Sequence, residues 1–258
     1  MIVASWNVNS IGVRLPHVLG FLETVSPDFL CLQELKCVDE KFPRAQIEAL
    51  GYNCLINGEK TYNGVAILSK TGQTTELVAK VLPGSPEPVQ ARLIEGKVGD
   101  IHLLNLYVPN GSEVGSAKYE YKLVWFEALL KYINENHKPT DKLIVVGDFN
   151  IAPEDRDVHK PEEWLGQVLV SDKERDLFKR LAGFPLIDSF RVFEQEKGFY
   201  SWWDYRMMAF RRNDGLRIDH ILITEPLQAS LKRSWIDKEP RKLEKPSDHA
   251  PVLIELAL

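Results

Sequence analysis

Leu143-Ile-Val-Val-Gly-Asp-Phe-Asn150 is the stretch on which the fold reading turns. Four consecutive apolar residues, three of them β-branched, are too few for a helix and fit a strand buried on both faces. The run stops at Gly147, and a carboxylate and an amide follow two positions apart at Asp148 and Asn150. In an extended chain, residues two apart point to the same side, so both can converge on one ligand or one water. The bland alternative is a strand-to-loop turn in which Asp and Asn satisfy local backbone amides.

The same grammar recurs along the chain. Short apolar runs of strand length lie at Ile2–Trp6, Phe29–Gln33, Val65–Ser69, Val89–Ile94, Ile101–Tyr107, Ile218–Thr224 and Val252–Leu256, each bounded by Gly, Pro, Asn or Asp. Helical periodicity falls between them, at about Leu15–Val25, Pro43–Leu50, Ala117–Asn134 and Asp172–Leu181, with Ser171 placed as an N-cap. Thr61-Tyr-Asn-Gly64 reads as a hairpin turn ahead of the Val65 strand. The mixture predicts an α/β or α+β protein rich in sheet. There is no internal repeat or linker-like tract, so the 258 residues are expected to form one domain.

Composition narrows the class. The chain is 44% hydrophobic and 27% charged, with 32 basic against 37 acidic residues and a net charge of −5. This excludes a disordered chain, a collagen-like one and a strongly cationic nucleic-acid coat. Three cysteines, Cys31, Cys37 and Cys54, are odd in number and lack metal-ligand spacing. A reducing cytoplasm is the simplest setting, since the N-terminus resembles no signal peptide and no apolar run reaches membrane-spanning length. Charge is uneven. Glu154–Asp176 holds eight acids against four bases, and Lys232–Lys245 holds six bases against three acids. A solvated face is the ordinary reading of each.

Polar residues gather where strands end: Asn7 after the first run, Glu34 after the second, Tyr107 closing the fifth, Asp148 and Asn150 after Val146, Asp219 opening the Ile218 run, and Asp248-His249 before the last. Strand termini are where a sheet presents side chains to a cleft. Glu34 closes a strongly apolar run and needs a cation or a base such as Lys36. The remaining histidines, His17, His102, His137, His159 and His220, read as surface or satisfied core residues. Hard oxygen ligands without a thiolate cluster favour Mg²⁺, with Mn²⁺ as substitute, over zinc. Phosphodiester hydrolysis needs such a set: a cation, a carboxylate to take a proton from water, and groups that hold the phosphoryl oxygens.

Ser5-Trp-Asn-Val-Asn-Ser10, Leu32-Gln-Glu-Leu-Lys36, Tyr62-Asn-Gly-Val-Ala66, Gly147-Asp-Phe-Asn150, Ser201-Trp-Trp-Asp-Tyr-Arg206, Gly215-Leu-Arg-Ile-Asp219 and Lys245-Pro-Ser-Asp-His-Ala-Pro251 stand in this order along nearly the whole chain. The set resembles the exonuclease III family of abasic-site DNA repair nucleases, within the superfamily that includes DNase I, sphingomyelinases and inositol phosphatases. The resemblance implies a DNase I-like, four-layered α/β sandwich: two packed mixed β-sheets flanked by helices. It implies Glu34 as the principal metal carboxylate, helped by Asn7 and Asp248. Asp148 would orient or deprotonate water, Asn150 hold the scissile phosphate, Tyr107 donate to it, and His249 contact a phosphoryl oxygen while held by Asp219. The base is left open between Asp148 and His249. Asp148 is favoured because a carboxylate-held imidazole tends to be cationic.

Two departures stand out. Asn9 occupies a place where some members carry Asp, which leaves the number of cations open. Asn110 follows Tyr-Val-Pro where some bacterial members carry Gln, and is expected to contact DNA. The aromatic and Arg-rich segment Tyr200–Arg217 supplies Trp202, Trp203, Arg206 and Arg217 as candidate walls and phosphate holders for a flipped, base-less sugar. One of the two tryptophans, not both, is expected to be core. A lipid or inositol phosphate substrate is disfavoured by the lack of a lipid-entry surface or a denser basic pocket. The expected enzyme is thus a Mg²⁺-dependent nuclease that cuts 5′ to abasic sites, clears blocked 3′ ends and has 3′→5′ exonuclease activity on double-stranded DNA. The alternatives are a member specialised for 3′ ends, or a superfamily phosphodiesterase with a non-DNA substrate. The resemblance implies a bacterial-type, cytoplasmic monomer that associates with the nucleoid when acting. Glu154–Trp164 is a candidate for setting the balance of activities.

Overall fold

The computed structural model describes all of residues 1–258. Twelve strands form two six-stranded sheets. The first contains β1 (Ile2–Asn7), β2 (Phe29–Gln33), β3 (Tyr52–Asn57), β4 (Val65–Lys70), β11 (Leu231–Ile236) and β12 (Val252–Leu256), in the order β11-β12-β1-β2-β4-β3. The second contains β5 (Glu76–Ala79), β6 (Leu93–Val98), β7 (Ile101–Tyr107), β8 (Lys142–Asp148), β9 (Leu186–Asp188) and β10 (Asp219–Thr224), in the order β5-β6-β7-β8-β10-β9. Each sheet has a single parallel pair at its centre, β1 with β2 and β7 with β8, flanked by antiparallel neighbours. A helix makes each parallel crossover: α1 (Ile11–Thr24) in the first sheet and α3 (Ala117–Asn136) in the second. The shorter α2 (Arg44–Glu48) and the longer α4 (Asp172–Gly183) complete the outer layers.

The apolar runs are continuous because each central strand has two buried faces. Along β2, Leu30 and Leu32 pack under α1 and α2 while Phe29 and Cys31 face the other sheet. Along β8, Leu143 and Val145 pack under α3 and α4 while Ile144 and Val146 face the first sheet. Three apolar cores therefore alternate with four layers of structure, as the resemblance implies. A buried amide bridge crosses the central core, where Gln33 Nε2 donates to Asn105 Oδ1 at 2.7 Å and Asn105 Nδ2 donates to the Leu32 and Ala66 carbonyls.

The predicted helices lie close to those observed, and Ser171 caps α4 in a reciprocal pair with Glu174. The strand expected at Val89–Ile94 instead begins at Leu93, and its second half carries Glu95, Gly96 and Lys97, which break the apolar pattern. Thr61–Gly64 does lie between antiparallel strands, β3 and β4, in a loop longer than a tight turn. β3, β5, β9 and β11 left no apolar run in the sequence. β5 is mostly exposed, β9 has three residues, and β11 carries Lys232 and Arg233. No helix is long and apolar enough to cross a membrane.

Candidate active site

The two sheets end side by side at one edge of the sandwich. In the second sheet Asp148 is directly opposite Tyr107 on β7 and Asp219 on β10, so three chemically active residues form one row across three strands. In the first sheet Asn7 ends β1 beside Gln33, and Glu34 follows β2 with a left-handed φ of 52°. Asn150 has a similar φ of 50°. Such conformations persist in non-glycine residues where surrounding structure enforces them, often at functional sites. Gly147 permits the row: with φ at 143°, a Cβ there would lie 1.9 Å from the Leu106 carbonyl oxygen.

Hydrogen bonds join the two edges. Asn7 Nδ2 donates to Glu34 Oε1 and to Asp148 Oδ2, both at 2.9 Å. Asp148 Oδ1 accepts from the Asn150 amide at 2.9 Å. His249 Nδ1 faces Asp219, 2.9 Å from Oδ2, and its Nε2 lies 3.7 Å from Asp148 Oδ2. Asp219 is itself held by Ser201, whose hydroxyl donates to Oδ2 at 2.7 Å while accepting the Ile218 and Asp219 amides. Arg92 stacks its guanidinium 4.6 Å from the Tyr107 ring centroid.

These surroundings separate the titrations. Burial pushes the Asp148 carboxyl up, and although His249 opposes this, Asp219 adds to it and the group reaches about 7. Burial also opposes charging of His249, but Asp219 and Asp148 outweigh it and raise the imidazole to about 10. Glu34 is pushed up by burial, yet Asn7, Lys36 and His249 leave it below the ordinary carboxylate range. Burial and the Glu34 charge raise the Tyr107 phenol, which keeps its proton. A cationic imidazole thus stands beside a carboxylate poised near neutrality.

Glu34, Asp148 and His249 each offer a ligand atom within 4.8 Å of the others. With Asp219 and Asp248, the neighbourhood holds four carboxylates against the cations His249 and Lys36. That surplus of negative charge and hard oxygen suits a divalent cation. Asp248 stands outside the cluster of three, with its oxygens accepting from Asn9 Nδ2 at 2.9 Å and Trp202 Nε1 at 3.0 Å. Asn7 turns its side-chain oxygen to the Asn9 amide, so its nearest role is to brace two carboxylates.

Of the expected DNA contacts, Asn110 and Arg206 are exposed and Trp202 is half-buried beside Asp248. Asn110 also donates to Asn150 Oδ1 at 3.0 Å. Two expectations are corrected. Trp203 is 0% exposed and packs with Tyr200, Ala209 and Ala250, so it is the core member of the tryptophan pair. Arg217 is 2% exposed and is consumed by two buried ion pairs, to Asp157 at 2.6 Å and Asp188 at 2.8 Å. Four of its five N–H donors are taken by Asp157, Asp188 and His220, and its burial keeps it from a DNA phosphate. The acidic run is likewise not all a solvated face, since Asp157 and Glu174 are wholly buried, the latter paired with Lys122. Sequence reasoning assigned no role to Ser201, whose only signal was its place at the head of the aromatic motif. It also missed Arg92, which lies outside every motif.

The chain matches the endonuclease/exonuclease/phosphatase family over residues 4–249. It is 36% identical to an exodeoxyribonuclease III of Haemophilus influenzae, across 97% of this chain and 98% of that protein. Among solved structures it resembles a 3′ phosphatase, NExo, from Neisseria bound to a product DNA hairpin, with 42% identity, complete coverage of both chains and a TM-score of 0.95. An AP endonuclease from Archaeoglobus fulgidus shares 36% identity, again over both whole chains, with a TM-score of 0.95. Sequence, fold and site geometry agree, and the chain belongs to the exonuclease III branch of the endonuclease/exonuclease/phosphatase family.

Proposed function

We propose that the protein is a Mg²⁺-dependent DNA repair nuclease that, as a monomer, hydrolyses the phosphodiester 5′ to abasic sites and removes 3′ blocking groups, with 3′→5′ exonuclease activity on duplex DNA. The observation that carries this reading is the row Tyr107–Asp148–Asp219 facing Asn7 and Glu34, with His249 between the two aspartates.

Glu34, ionised and open to solvent on one side, is the residue to hold the cation. When bound, the cation neutralises charge on the phosphoryl group and stabilises the leaving oxygen. Asp148 accepts a proton from the attacking water. Its carboxyl, held near 7, is matched to that task at neutral pH. His249 stays protonated, donates from Nδ1 to Asp219 and presents Nε2–H to a phosphoryl oxygen. Tyr107 donates from its phenol, while Asn150, whose side-chain amide donates to the Val108 carbonyl at 2.9 Å and to Asp148 Oδ2 at 3.3 Å, reaches the scissile phosphate only by giving up its bond to Asp148 and otherwise braces that carboxylate. Trp202 and Arg206 line the approach of the damaged strand. A member specialised for 3′ ends is the second reading, supported by the 42% identity with the Neisseria 3′ phosphatase.

Duplexes carrying an internal abasic site, a 3′-phosphate or an undamaged 3′-hydroxyl, compared side by side, test both readings. EDTA abolishes cleavage and Mg²⁺ restores it, and Asp148→Asn lowers turnover by roughly 10²–10⁴-fold while duplex binding persists. Metal-independent cutting removes the mechanism. Hydrolysis of an inositol phosphate or phospholipid with every duplex left intact removes the DNA substrate, and a preference for the 3′-phosphate over the abasic duplex selects the second reading.

A further inference from the structure

One histidine contradicts the expectation that the remaining imidazoles are satisfied. His137, the residue that ends α3, is 5% exposed, and neither of its ring nitrogens has a hydrogen-bond partner. A buried imidazole without partners is costly, because its ring nitrogens have given up water for nothing. Its Nε2 lies 3.5 Å from Oε2 of Glu95, a wholly buried carboxylate on β6. The other oxygen of Glu95 lies 2.6 Å from Nδ1 of His102, on the neighbouring strand β7. Glu95 and His102 come together because they sit on the same face of adjacent antiparallel strands, two positions apart in register.

We propose that Glu95, His102 and His137 form a second metal site, separate from the nuclease centre, which takes a zinc-class dication. Ligand atoms from all three residues lie within 4.8 Å of one another. The 3.5 Å between His137 Nε2 and Glu95 Oε2 matches the ligand–ligand edge of a tetrahedron with bonds of about 2.1 Å, roughly 3.4 Å. The contact does not form a hydrogen bond, so His137 Nε2 remains free to bind a cation. Glu95 spans the two imidazoles, with Oε2 3.5 Å from His137 Nε2 and Oε1 2.6 Å from His102 Nδ1, and a small turn of the carboxylate brings one oxygen between them.

Two imidazoles and one carboxylate favour zinc over Mg²⁺, which prefers an all-oxygen shell. The Tyr132 hydroxyl donates to Glu95 Oε2 at 2.6 Å and orients the carboxylate from outside. The His102 side chain, 20% exposed, gives the site access to solvent. The site lies five residues along β7 from Tyr107, roughly 16 Å from the catalytic row. Its consequence is structural. A bound dication ties β6 and β7 to the end of α3, where the chain turns toward β8, the strand that carries Asp148.

Because the nuclease centre also offers zinc ligands, the test uses Glu34→Gln as background. After chelator treatment and dialysis, Glu34→Gln protein takes up zinc with a thermal midpoint rise of roughly 5 °C or more at a hundredfold excess over the dissociation constant. In Glu34→Gln/His102→Ala, zinc uptake falls by one equivalent per chain and the rise is lost. His102 is partly exposed, so this variant keeps its fold, which circular dichroism verifies, and His102→Gln serves as a conservative second variant. Cobalt(II) in place of zinc gives the visible ligand-field absorption of a four-coordinate nitrogen–oxygen site in the first protein and not in the second. Equal uptake and equal midpoints in both proteins overturn the proposal.

Discussion

Asp148 and Glu34 have the same carboxyl chemistry and a shared donor in Asn7, yet they are tuned apart. Burial pushes both carboxyls up, but Asn7, Lys36 and His249 more than offset it at Glu34, which stays ionised, whereas the more deeply buried Asp148 has Asp219 acting against His249 and rises to about 7. The difference between them, on which the proposed roles of cation holder and proton acceptor rest, is set by burial and by neighbours contributed from four separate stretches of chain. Both residues were legible as candidates because each follows an apolar run; their division of labour was not. His220 shows the opposite tuning. Burial, aided by the Arg217 charge, lowers its imidazole to about 4, and its nitrogens face Arg217 and the Ile151 carbonyl in the neutral form. Since the folded value lies below the 6.5 of a free histidine, the unfolded chain binds the proton more readily. The neutral ring's contribution is complete above about pH 6.5 and is lost as pH falls toward 4, a change of about 3 kcal/mol. Urea unfolding of wild type and His220→Gln between pH 7.5 and 4.5 checks this: the gap between them narrows in acid, and a constant gap refutes the assignment.

At the scale of elements, the Tyr107–Asp148–Asp219 row depends on strand register, and the close approach of β7 and β8 beside it depends on one glycine. Gly147 is wedged against Leu106 on β7 at a φ of 143°, where any side chain meets backbone. Gly147→Ala is expected to cost about 3 kcal/mol or more and to reduce turnover further than the stability loss explains, because Asp148 is the next residue. Denaturant unfolding together with cleavage by the folded fraction separates the two effects, and a variant of wild-type stability and rate would show that the strands have room to part. Elements were legible where two buried faces made the run continuous, as in β2 and β8. They were hidden where one face meets solvent or the strand is short. β11 read as a basic segment because Arg233 and Lys232 point outward while Leu231 packs inward.

The whole molecule repeats a pattern that the sequence does not. Both sheets have one central parallel pair, one helical crossover and two antiparallel strands on either side, without any internal repeat in the chain. Likeness at this scale follows from packing two-faced sheets under helices, which many apolar sequences satisfy. Whole-molecule charge is equally indirect. The net −5 includes the carboxylates of the active site and others neutralised in buried pairs, such as Asp157 with Arg217 and Glu174 with Lys122. Phosphate binding is decided by local surface charge, and the side chain of Arg206, the proposed phosphate holder, is 88% exposed. Arg206→Ala is expected to weaken duplex binding across sequences and to lower the slope of log affinity against log salt by about 1. An unchanged slope in a salt titration would place this arginine off the DNA path. The sequence by itself determined a mixed α and β class rich in sheet, the positions along the chain of the longest buried strands and which acids, amides and histidine stand at their ends, because periodicity and strand termini are local properties. Only the tertiary structure decided which tryptophan is core, that Arg217 spends its charge on Asp157 and Asp188, and that Asp148 and Glu34 differ in ionisation. Burial and electrostatic environment are sums over residues distant in the chain, and no local pattern encodes them.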